Sequence, residues 1–198
     1  MAVRMEPDER RKSILATAMS IIDEHGHQGL TMRALARACG MSAPGLMHYF
    51  PDMPTLVVAV IDYREQRDAD LYDLSMRGPG VTRMMLDKAI QNIIDRPKAA
   101  ELFAIVEAQA IDPRHPGHEY FKYRNERLVA DVLPIASAEY ENAEELIRQL
   151  IAIADGLQLN WLRDPESFDL MERWKAIADP LLAAAERCDV RGAEPDER

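Results

Sequence analysis

The sequence predicts an all-α protein of about nine helices. Apolar residues recur at spacings of three and four along nearly the whole chain, as on one face of an α-helix, and no Val/Ile run alternates as a half-buried strand does. Gly and Pro residues then divide the chain into segments of helical length. These interruptions lie at Gly26–Gly29, Gly40, Pro51–Pro54, Gly78–Gly80, Pro97, Asp112–Pro113, Pro116–Gly117, Pro134 and Asp164–Pro165.

The first predicted helix runs from about Asp8 to His25, and Gly26 is a suitable residue to end it. Its apolar stripe consists of Ile14, Ala18, Ile21 and Ile22. Four basic residues lie ahead of this helix or near its start, where we expect them to follow a phosphate backbone or enter a minor groove: Arg4, Arg10, Arg11 and Lys12.

Residues 30–50, LTMRALARACGMSAPGLMHYF, have the pattern of two short helices joined by a tight turn. Thr31 is a favourable N-cap for the first of these helices, and Gly40 ends it. Ser42 is the next N-cap, and Pro44 falls in the first turn of the second helix, where a missing N–H costs little. With the preceding helix to pack on, this pattern predicts a helix-turn-helix.

The second of these helices is too short to be stable alone, and its outward residues favour contact with DNA. Leu46 and Phe50 share its predicted buried face, and Met41 and Leu46 have the spacing of a hydrophobic staple. Small and apolar residues let a helix approach bases and thymine methyl groups, while hydroxyl and imidazole groups donate to phosphates. The predicted DNA-binding residues are Thr31, Arg33, Ser42, Ala43, Pro44, Gly45, Met47, His48 and Tyr49, with Arg33 as the candidate for a guanine contact.

Charge permits DNA binding without proving it. The net charge is −10, yet residues 1–50 carry six Lys/Arg and five Asp/Glu, a net of +1. Two other interpretations stay open at this point. One is a helical adaptor that acts through protein contacts, which would need no groove-facing N-caps. Tyr49 is also compatible with a core residue, and His48 with an inert surface histidine. The other is an all-helical enzyme, although the sequence contains no P-loop, dinucleotide-binding glycines, nucleophile elbow or zinc-protease helix.

The stretch LTMRALARACGMSAPGLMHYFPDMPTLVVAVID resembles the signature of the tetracycline-repressor (TetR) family. The matching residues are Leu30, Thr31, Arg33, Leu35, Ala36, Gly40, Ser42, Leu46, Tyr49, Phe50, Pro51 and Leu56. The resemblance covers the N-terminal part of the chain and implies a homodimeric repressor that binds palindromic operator DNA and is released by a small-molecule inducer. It implies base contacts from Arg33, Ala43, Pro44 and Met47, and phosphate contacts from Thr31, Ser42, His48 and Tyr49.

Two positions depart from the family pattern. Met47 stands where the family often has an aromatic residue, and Met53 stands where it usually has a Lys that grips a phosphate. The missing Lys predicts a gentler salt dependence of DNA binding, because fewer counterions are released.

We predict a three-helix DNA-binding domain over residues 1–52, a helical ligand-binding and dimerisation domain over residues 53–190, and a flexible tail over residues 191–198. A fourth helix that begins near Met53 and runs to Arg77 would span about 37 Å and join head to body. Ligand binding is expected to change the spacing of the two heads of a dimer through this helix.

Two amphipathic helices are predicted near the end of the chain, from about Asn142 to Arg163 and from Ser167 to Arg187, with Pro180 kinking the second or ending it early. Such stripes are more often core than interface, but the family resemblance favours a four-helix bundle between two copies. Two recognition helices would then lie one DNA turn, about 34 Å, apart. The predicted dimer interface consists of Leu146, Leu150, Ile151, Ala154, Leu157, Trp161, Trp174, Ile177, Ala178 and Leu181.

The helices in the middle of the chain are expected to enclose the ligand. A nearly continuous apolar run at residues 102–111 contains Glu107, which needs a partner if it is buried and is otherwise on a solvated face. Met and aromatic side chains suit an irregular apolar ligand, although they are also ordinary core residues. The predicted ligand-binding residues are Met84, Met85, Phe103, Glu107, Tyr120, Tyr123 and Trp161.

The one group of residues with metal-binding character is Asp112, His115, His118 and Glu119. Neighbouring prolines make this segment a bent loop, so helix capping is favoured over metal binding, and no cofactor is expected. No apolar run approaches the ~20 residues that span a bilayer, and the N-terminal residues lack the apolar core of a signal peptide. We therefore expect a cytoplasmic protein in which Cys39 and Cys188 are reduced.

Overall fold

The computed structural model describes residues 6–69 and 76–185, and these residues form nine α-helices. The helices are α1 (Pro7–His25), α2 (Met32–Ala38), α3 (Ala43–Met47), α4 (Met53–Ala69), α5 (Val81–Asp95), α6 (Pro97–Gln109), α7 (His118–Glu139), α8 (Ala143–Arg163) and α9 (Leu170–Ala185). A short 3₁₀ turn, His27–Gly29, follows α1. The predicted all-α class and number of helices are confirmed.

Tertiary contacts group these helices into two compact units. The first unit contains α1 to α4, α6 and the start of α7 as far as Lys122. The second contains α5, the remainder of α7 from Tyr123, α8 and α9. In the first unit α4 and α6 therefore accompany the three N-terminal helices, and the functional boundary that we placed after residue 52 stays a prediction.

One hydrophobic core holds the first unit together. From α1 it contains Ile14, Ala18 and Ile22, which belong to the predicted apolar stripe. Its other buried members include Leu35 and Ala36 of α2, Leu46 of α3, Phe50 between α3 and α4, Leu56 and Val60 of α4, and Ala99, Leu102 and Val106 of α6. Because α6 buries three apolar residues in this core, it is part of the platform that carries α2 and α3.

The backbone carbonyl groups at the C-terminal end of α1 accept hydrogen bonds from two sources. Gly26 has a positive φ of 73° and donates its N–H to the carbonyl of Ile22, which closes the last turn. Lys98 of α6 donates to the carbonyls of Asp23 and Glu24 at 3.2 and 2.6 Å. A cation is favourable at the negative end of a helix dipole, so α6 holds α1 by charge as well as by packing.

The second unit is organised around Trp174 of α9, which is 1% exposed. Its indole Nε1 donates to Asp87 of α5 at 2.8 Å, so the one polar atom of this large side chain is satisfied. The same core contains Ile90, Val129, Ala136, Tyr140, Leu146, Ile147, Leu150, Trp161, Leu170, Ala178 and Leu182.

Two prolines that were expected to interrupt helices lie inside them. Pro134 is within α7 and Pro180 is within α9, and both are exposed. Ile135 and Ala136, which follow Pro134 directly, are 1% and 0% exposed. Burying such residues offsets the roughly 3 kcal/mol that an interior proline costs. The predicted break at Pro134 is therefore wrong, and α9 does not end early at Pro180.

Glu139, the last residue of α7, caps the start of α5. It is 5% exposed, and its carboxylate accepts the N–H of Gly80 at 2.6 Å and the N–H and hydroxyl of Thr82 at 2.9 and 2.8 Å. Three donors and the positive end of the α5 dipole compensate for the loss of water around this charge. The carboxylate thereby fixes the end of α7 to the beginning of α5.

Several predictions fall outside the described residues: Arg4, residues 70–75 of the long fourth helix, the end of the last helix at Arg187, Cys188 and the tail at residues 191–198. Met76 and Arg77 are described and are not helical. The predicted end of the fourth helix at Arg77 is therefore wrong, because the turn residues that follow it favour non-helical backbone. Over the described ranges, no helix combines the length and the apolar character needed to cross a membrane.

Candidate nucleic-acid interface

The turn between α2 and α3 is a complete Schellman motif. Gly40 has a positive φ of 63°, the left-handed conformation that favours glycine. The N–H of Met41 donates to the carbonyl of Ala36 at 2.8 Å, and the N–H of Gly40 donates to the carbonyl of Arg37 at 3.1 Å. These bonds end α2 and lead the chain directly into α3, as the helix-turn-helix pattern predicts.

The short helix α3 is stabilised at its start. Ser42 Oγ accepts the N–H of Gly45 at 3.2 Å, and Pro44 lies in the first turn. Met41 before the cap and Leu46 in the helix both join the core of the first unit, as the predicted hydrophobic staple requires. A Cβ at position 45 would lie 3.1 Å from Ser42 Oγ, so glycine there leaves room for the cap.

Exposure divides this segment into an anchored side and an outward side. Leu46 and Phe50 are 0% exposed, whereas Met47 between them is 52% exposed. Three further predicted DNA-binding residues are exposed, Ser42, Pro44 and His48, and three are partly exposed, Ala43, Gly45 and Tyr49. The segment therefore presents small, apolar and hydrogen-bonding groups on a side that the first unit does not cover.

The hydroxyl groups of Thr31 and Ser42 each cap a helix through the oxygen, and each still has its O–H available to donate a hydrogen bond. Thr31 Oγ1 accepts the N–H of Ala34 at 3.1 Å, in the same way that Ser42 accepts from α3. Since the hydroxyl oxygen is the acceptor in both caps, its O–H remains able to donate to an oxygen outside the protein. Arg33 lies in the first turn of α2 and is exposed.

Sequence reasoning missed a contact between Arg11 and Phe50. The Arg11 guanidinium lies 4.5 Å from the centre of the Phe50 ring, where the aromatic face attracts a cation. We predicted Arg11 only as a phosphate or minor-groove contact, whereas it also joins α1 to the segment that follows α3. No local signal marks this contact, because its two residues lie far apart in the sequence.

The start of α4 carries an acidic cap. Asp52 Oδ1 accepts the N–H of Thr55 at 2.8 Å, and hydrogen bonds from Thr55 lower the pKa of Asp52. Met53, at the position where the family pattern has Lys, packs partly buried against the core of the first unit. The start of α4 therefore offers a carboxylate, and no Lys, to an approaching phosphate.

Residues 14–60 match the family model of bacterial regulatory proteins of the TetR family. The match begins in α1, includes all of α2 and α3, and ends in α4. Over these residues the chain is similar to the TetR family, as the sequence resemblance predicts. The matched family consists of bacterial regulatory proteins, so the match supports the prediction of a transcription regulator over that of an enzyme.

Solved structures of transcriptional regulators and repressors share this fold over most of both chains. A TetR transcriptional regulator from Rhodococcus sp. RHA1 is 20% identical, over 89% of this chain and 98% of that one, with a TM-score of 0.69. FadR of Thermus thermophilus, a transcriptional repressor in complex with lauroyl-CoA, is 18% identical over 87% and 93%, with a TM-score of 0.62. NalD of Pseudomonas aeruginosa, the secondary repressor of the MexAB-OprM multidrug efflux pump, is 16% identical over 91% and 98%, with a TM-score of 0.58. No curated protein sequence matches the chain.

Half of the residues predicted for the dimer interface are buried within the second unit of this chain. These residues are Leu146, Leu150, Trp161, Trp174 and Ala178. Ile151, Ala154, Leu157 and Leu181 are partly buried against the same core, and Ile177 is also partly buried. The first five side chains are therefore covered by their own chain, and the dimer interface itself stays a prediction.

The predicted ligand-binding residues are distributed over both units. In the first unit, Phe103 and Tyr120 pack on the core and each meets Phe121 edge-on, with ring centres 5.3 and 5.1 Å apart, and Glu107 is partly buried. In the second unit, Met85 and Trp161 are buried, Met84 is partly buried and Tyr123 is exposed. Packing accounts for most of these side chains, and their role in ligand binding stays a prediction.

The polar side chains of the loop between α6 and α7 are engaged within that loop. Arg114 donates to Asp112 at 2.7 Å and lowers the pKa of Asp112. His115 Nδ1 accepts the N–H of Gly117 at 3.1 Å, and His118 Nδ1 lies 2.8 Å from the carbonyl oxygen at the end of α6. Among residues 6–69 and 76–185, no group of three His, Cys, Asp or Glu is arranged to hold a metal ion.

Proposed function

We propose that two copies of the chain bind the two halves of a palindromic operator and repress transcription, and that a small molecule bound to the body releases the DNA. The observation that carries this proposal is the orientation of α3, which buries Leu46 and leaves Pro44, Met47 and His48 exposed. A helix as short as α3 is not stable by itself, so its stability does not explain the residues on its exposed side. Its side chains are of the kind that meet base edges in a major groove.

The proposed contacts fall into two classes. Arg33 and the outward residues Ala43, Pro44 and Met47 face the bases, with Arg33 bidentate to a guanine and Met47 on a thymine methyl group. The phosphate contacts come from Thr31, Ser42, His48 and Tyr49, and the two cap hydroxyls donate the O–H that their helices do not use. Gly45 lets the backbone of α3 approach the DNA closely.

The DNA contacts are tested with an operator selected from a library of randomised duplexes. Arg33→Ala is expected to weaken binding by about 1–3 kcal/mol for each half-site, and Tyr49→Phe by less, since it removes one hydroxyl donor. Fluorescence anisotropy measures both affinities. Arg127→Ala is the matched control, because it removes one exposed positive charge from α7. The proposal is wrong if Arg33→Ala and Arg127→Ala bind the operator equally well.

The exposed side of α8 and α9 is the proposed dimer face. On α8 it carries Ala152, Gly156 and Leu159, the last 45% exposed. On α9 it carries Ala176 and Ala183. A Cβ at position 156 would meet nothing within 4 Å in the same chain. Small residues allow two helices to approach closely, and antiparallel pairs from two copies form a four-helix bundle.

The dimer face is tested by placing a bulky charge in its centre. Gly156→Arg is expected to convert the dimer to a monomer and to reduce operator affinity with it, while the helical content of the chain is retained. Sedimentation velocity at micromolar concentration measures the oligomeric state. Ala130→Arg, at an exposed position of α7, is the control. A Gly156→Arg protein that remains dimeric would place the interface elsewhere.

Release by a small molecule is supported by relatives of the same fold, since FadR is described in complex with lauroyl-CoA and NalD as a repressor of an efflux pump. Any ligand that weakens operator binding must bind the free protein more tightly than the DNA-bound protein by the same factor. Calorimetric titration with and without operator measures both affinities. Because operator DNA lies in the bacterial cytoplasm, the proposal places the protein there as well.

A further inference from the structure

The second unit contains a groove along its surface between α5 and α9. Its volume is about 480 Å³, which lies in the range of small-molecule sites. Several of its lining residues are exposed, so the groove is open to solvent. Of the residues predicted from sequence to bind ligand, this groove contains one, Met84.

The apolar lining of the groove comes from Met84 of α5 and Met171 of α9. Both are partly buried, so each packs on the unit and keeps part of its side chain toward the groove. Methionine side chains are unbranched and adapt their shape to a ligand. The two residues therefore suit an unbranched hydrocarbon chain.

The carboxylate and the guanidinium in the groove are engaged with the protein itself. Asp87 accepts the indole N–H of Trp174 at 2.8 Å and the Nε–H of Arg83 at 2.9 Å. Arg83 also forms an ion pair with Asp179 of α9. These contacts fix α5 to α9 and balance the charge of Asp87, so it does not repel an anion in the groove.

Two lysines also line this groove, and they have no such partners. Lys88 of α5 and Lys175 of α9 are exposed, and neither forms an ion pair or hydrogen bond within the described residues. Their positive charge contrasts with the net charge of −10 of the whole chain. An anion is attracted to this place by two ammonium groups on opposite walls of the groove.

We propose that this groove binds an amphipathic organic anion, with its hydrocarbon chain on Met84 and Met171 and its anionic group between Lys88 and Lys175. The proposal concerns binding alone and does not require that the chain bind DNA. It is distinct from the enclosed ligand cavity that we predicted from sequence, because most of its residues lie outside that prediction.

The test uses the full-length protein and three probes with the same twelve-carbon chain: dodecanoate, dodecanol and dodecyltrimethylammonium, each below its micelle concentration. Isothermal titration calorimetry measures binding of each probe. We expect saturable binding of dodecanoate and at least tenfold weaker binding of the other two. The double variant Lys88→Ala/Lys175→Ala is expected to bind dodecanoate about tenfold more weakly, which is 1.4 kcal/mol. Lys122→Ala, outside the groove, is expected to bind as the original protein does.

Three results would overturn the proposal. They are the absence of saturable dodecanoate binding, equal binding of the alcohol and the carboxylate, and dodecanoate binding that the double lysine variant leaves unchanged. Circular dichroism of the double variant establishes that it is folded, which the exposure of both lysines leads us to expect. Operator binding without any probe is measured on the same samples, so a failure of the groove and a failure of the proposed repressor function are separate outcomes.

Discussion

Two adjacent residues of α3 are expected to respond differently to the same substitution. Leu46 is 0% exposed and Met47 is 52% exposed. Replacing a fully buried leucine by alanine removes core contacts and leaves a cavity, which costs about 2–5 kcal/mol. Full burial of a methionine contributes roughly 1.5–3 kcal/mol, so a half-exposed one contributes about half of that. Leu46→Ala therefore lowers the free energy of unfolding several times more than Met47→Ala does.

The effects on DNA binding separate the two residues further. Met47→Ala keeps the fold and removes an apolar contact to a base, for which a loss of about 1–3 kcal/mol at each half-site is typical. It is also expected to relax the base preference at one position of the operator. Leu46→Ala is expected to weaken binding to all sequences equally, because it weakens the packing of α3 on the core and removes no base contact.

Urea unfolding followed by circular dichroism measures stability, and fluorescence anisotropy with the selected operator and its single-base variants measures affinity and preference. The reasoning is refuted if Met47→Ala destabilises the protein as much as Leu46→Ala. It is also refuted if Met47→Ala binds every operator variant with the original affinity.

Three further predictions concern charge. Glu139→Gln is expected to lower the free energy of unfolding by about 1–3 kcal/mol in urea unfolding, because an amide nitrogen replaces the oxygen that accepts the part-buried N–H of Gly80, and the exposed Glu141→Gln is its control. Burial raises the pKa of Asp155, so its charged form opposes folding above that pKa; Asp155→Asn is expected to stabilise the protein at neutral pH, and the gain should vanish in acid, where both side chains are neutral. Met53→Lys is expected to steepen the salt dependence of operator binding by about one unit for each half-site, and an unchanged slope would mean that no phosphate lies near the start of α4.

The local geometry of the helix-turn-helix was predictable from sequence because it depends on neighbouring residues. The caps at Thr31 and Ser42, the left-handed Gly40 and the staple between Met41 and Leu46 each follow from residue types at fixed short spacings, and the structure contains all of them. The outward position of Met47 follows in turn, since Leu46 beside it is fixed inward.

Features that depend on long-range packing were not predictable in the same way. The apolar stripes of α8 and α9 identify which side of each helix is covered, but not by what, and burial shows that Leu150 and Trp174 are covered by their own chain. Pro134 was expected to break a helix because proline is unfavourable in a helix interior. The helix continues because the residues after Pro134 are buried by tertiary packing, which local sequence does not reveal. The Lys98 contact with the end of α1 likewise has no local signal.

The central claim is that α3 is the element that enters the DNA. A structure of the protein bound to its selected operator tests this claim directly. We expect α3 of each copy in the major groove, with Met47 toward the bases, Leu46 toward the protein, and the two helices about 34 Å apart on one side of the duplex. A complex in which another surface contacts the DNA and α3 faces solvent would contradict the claim.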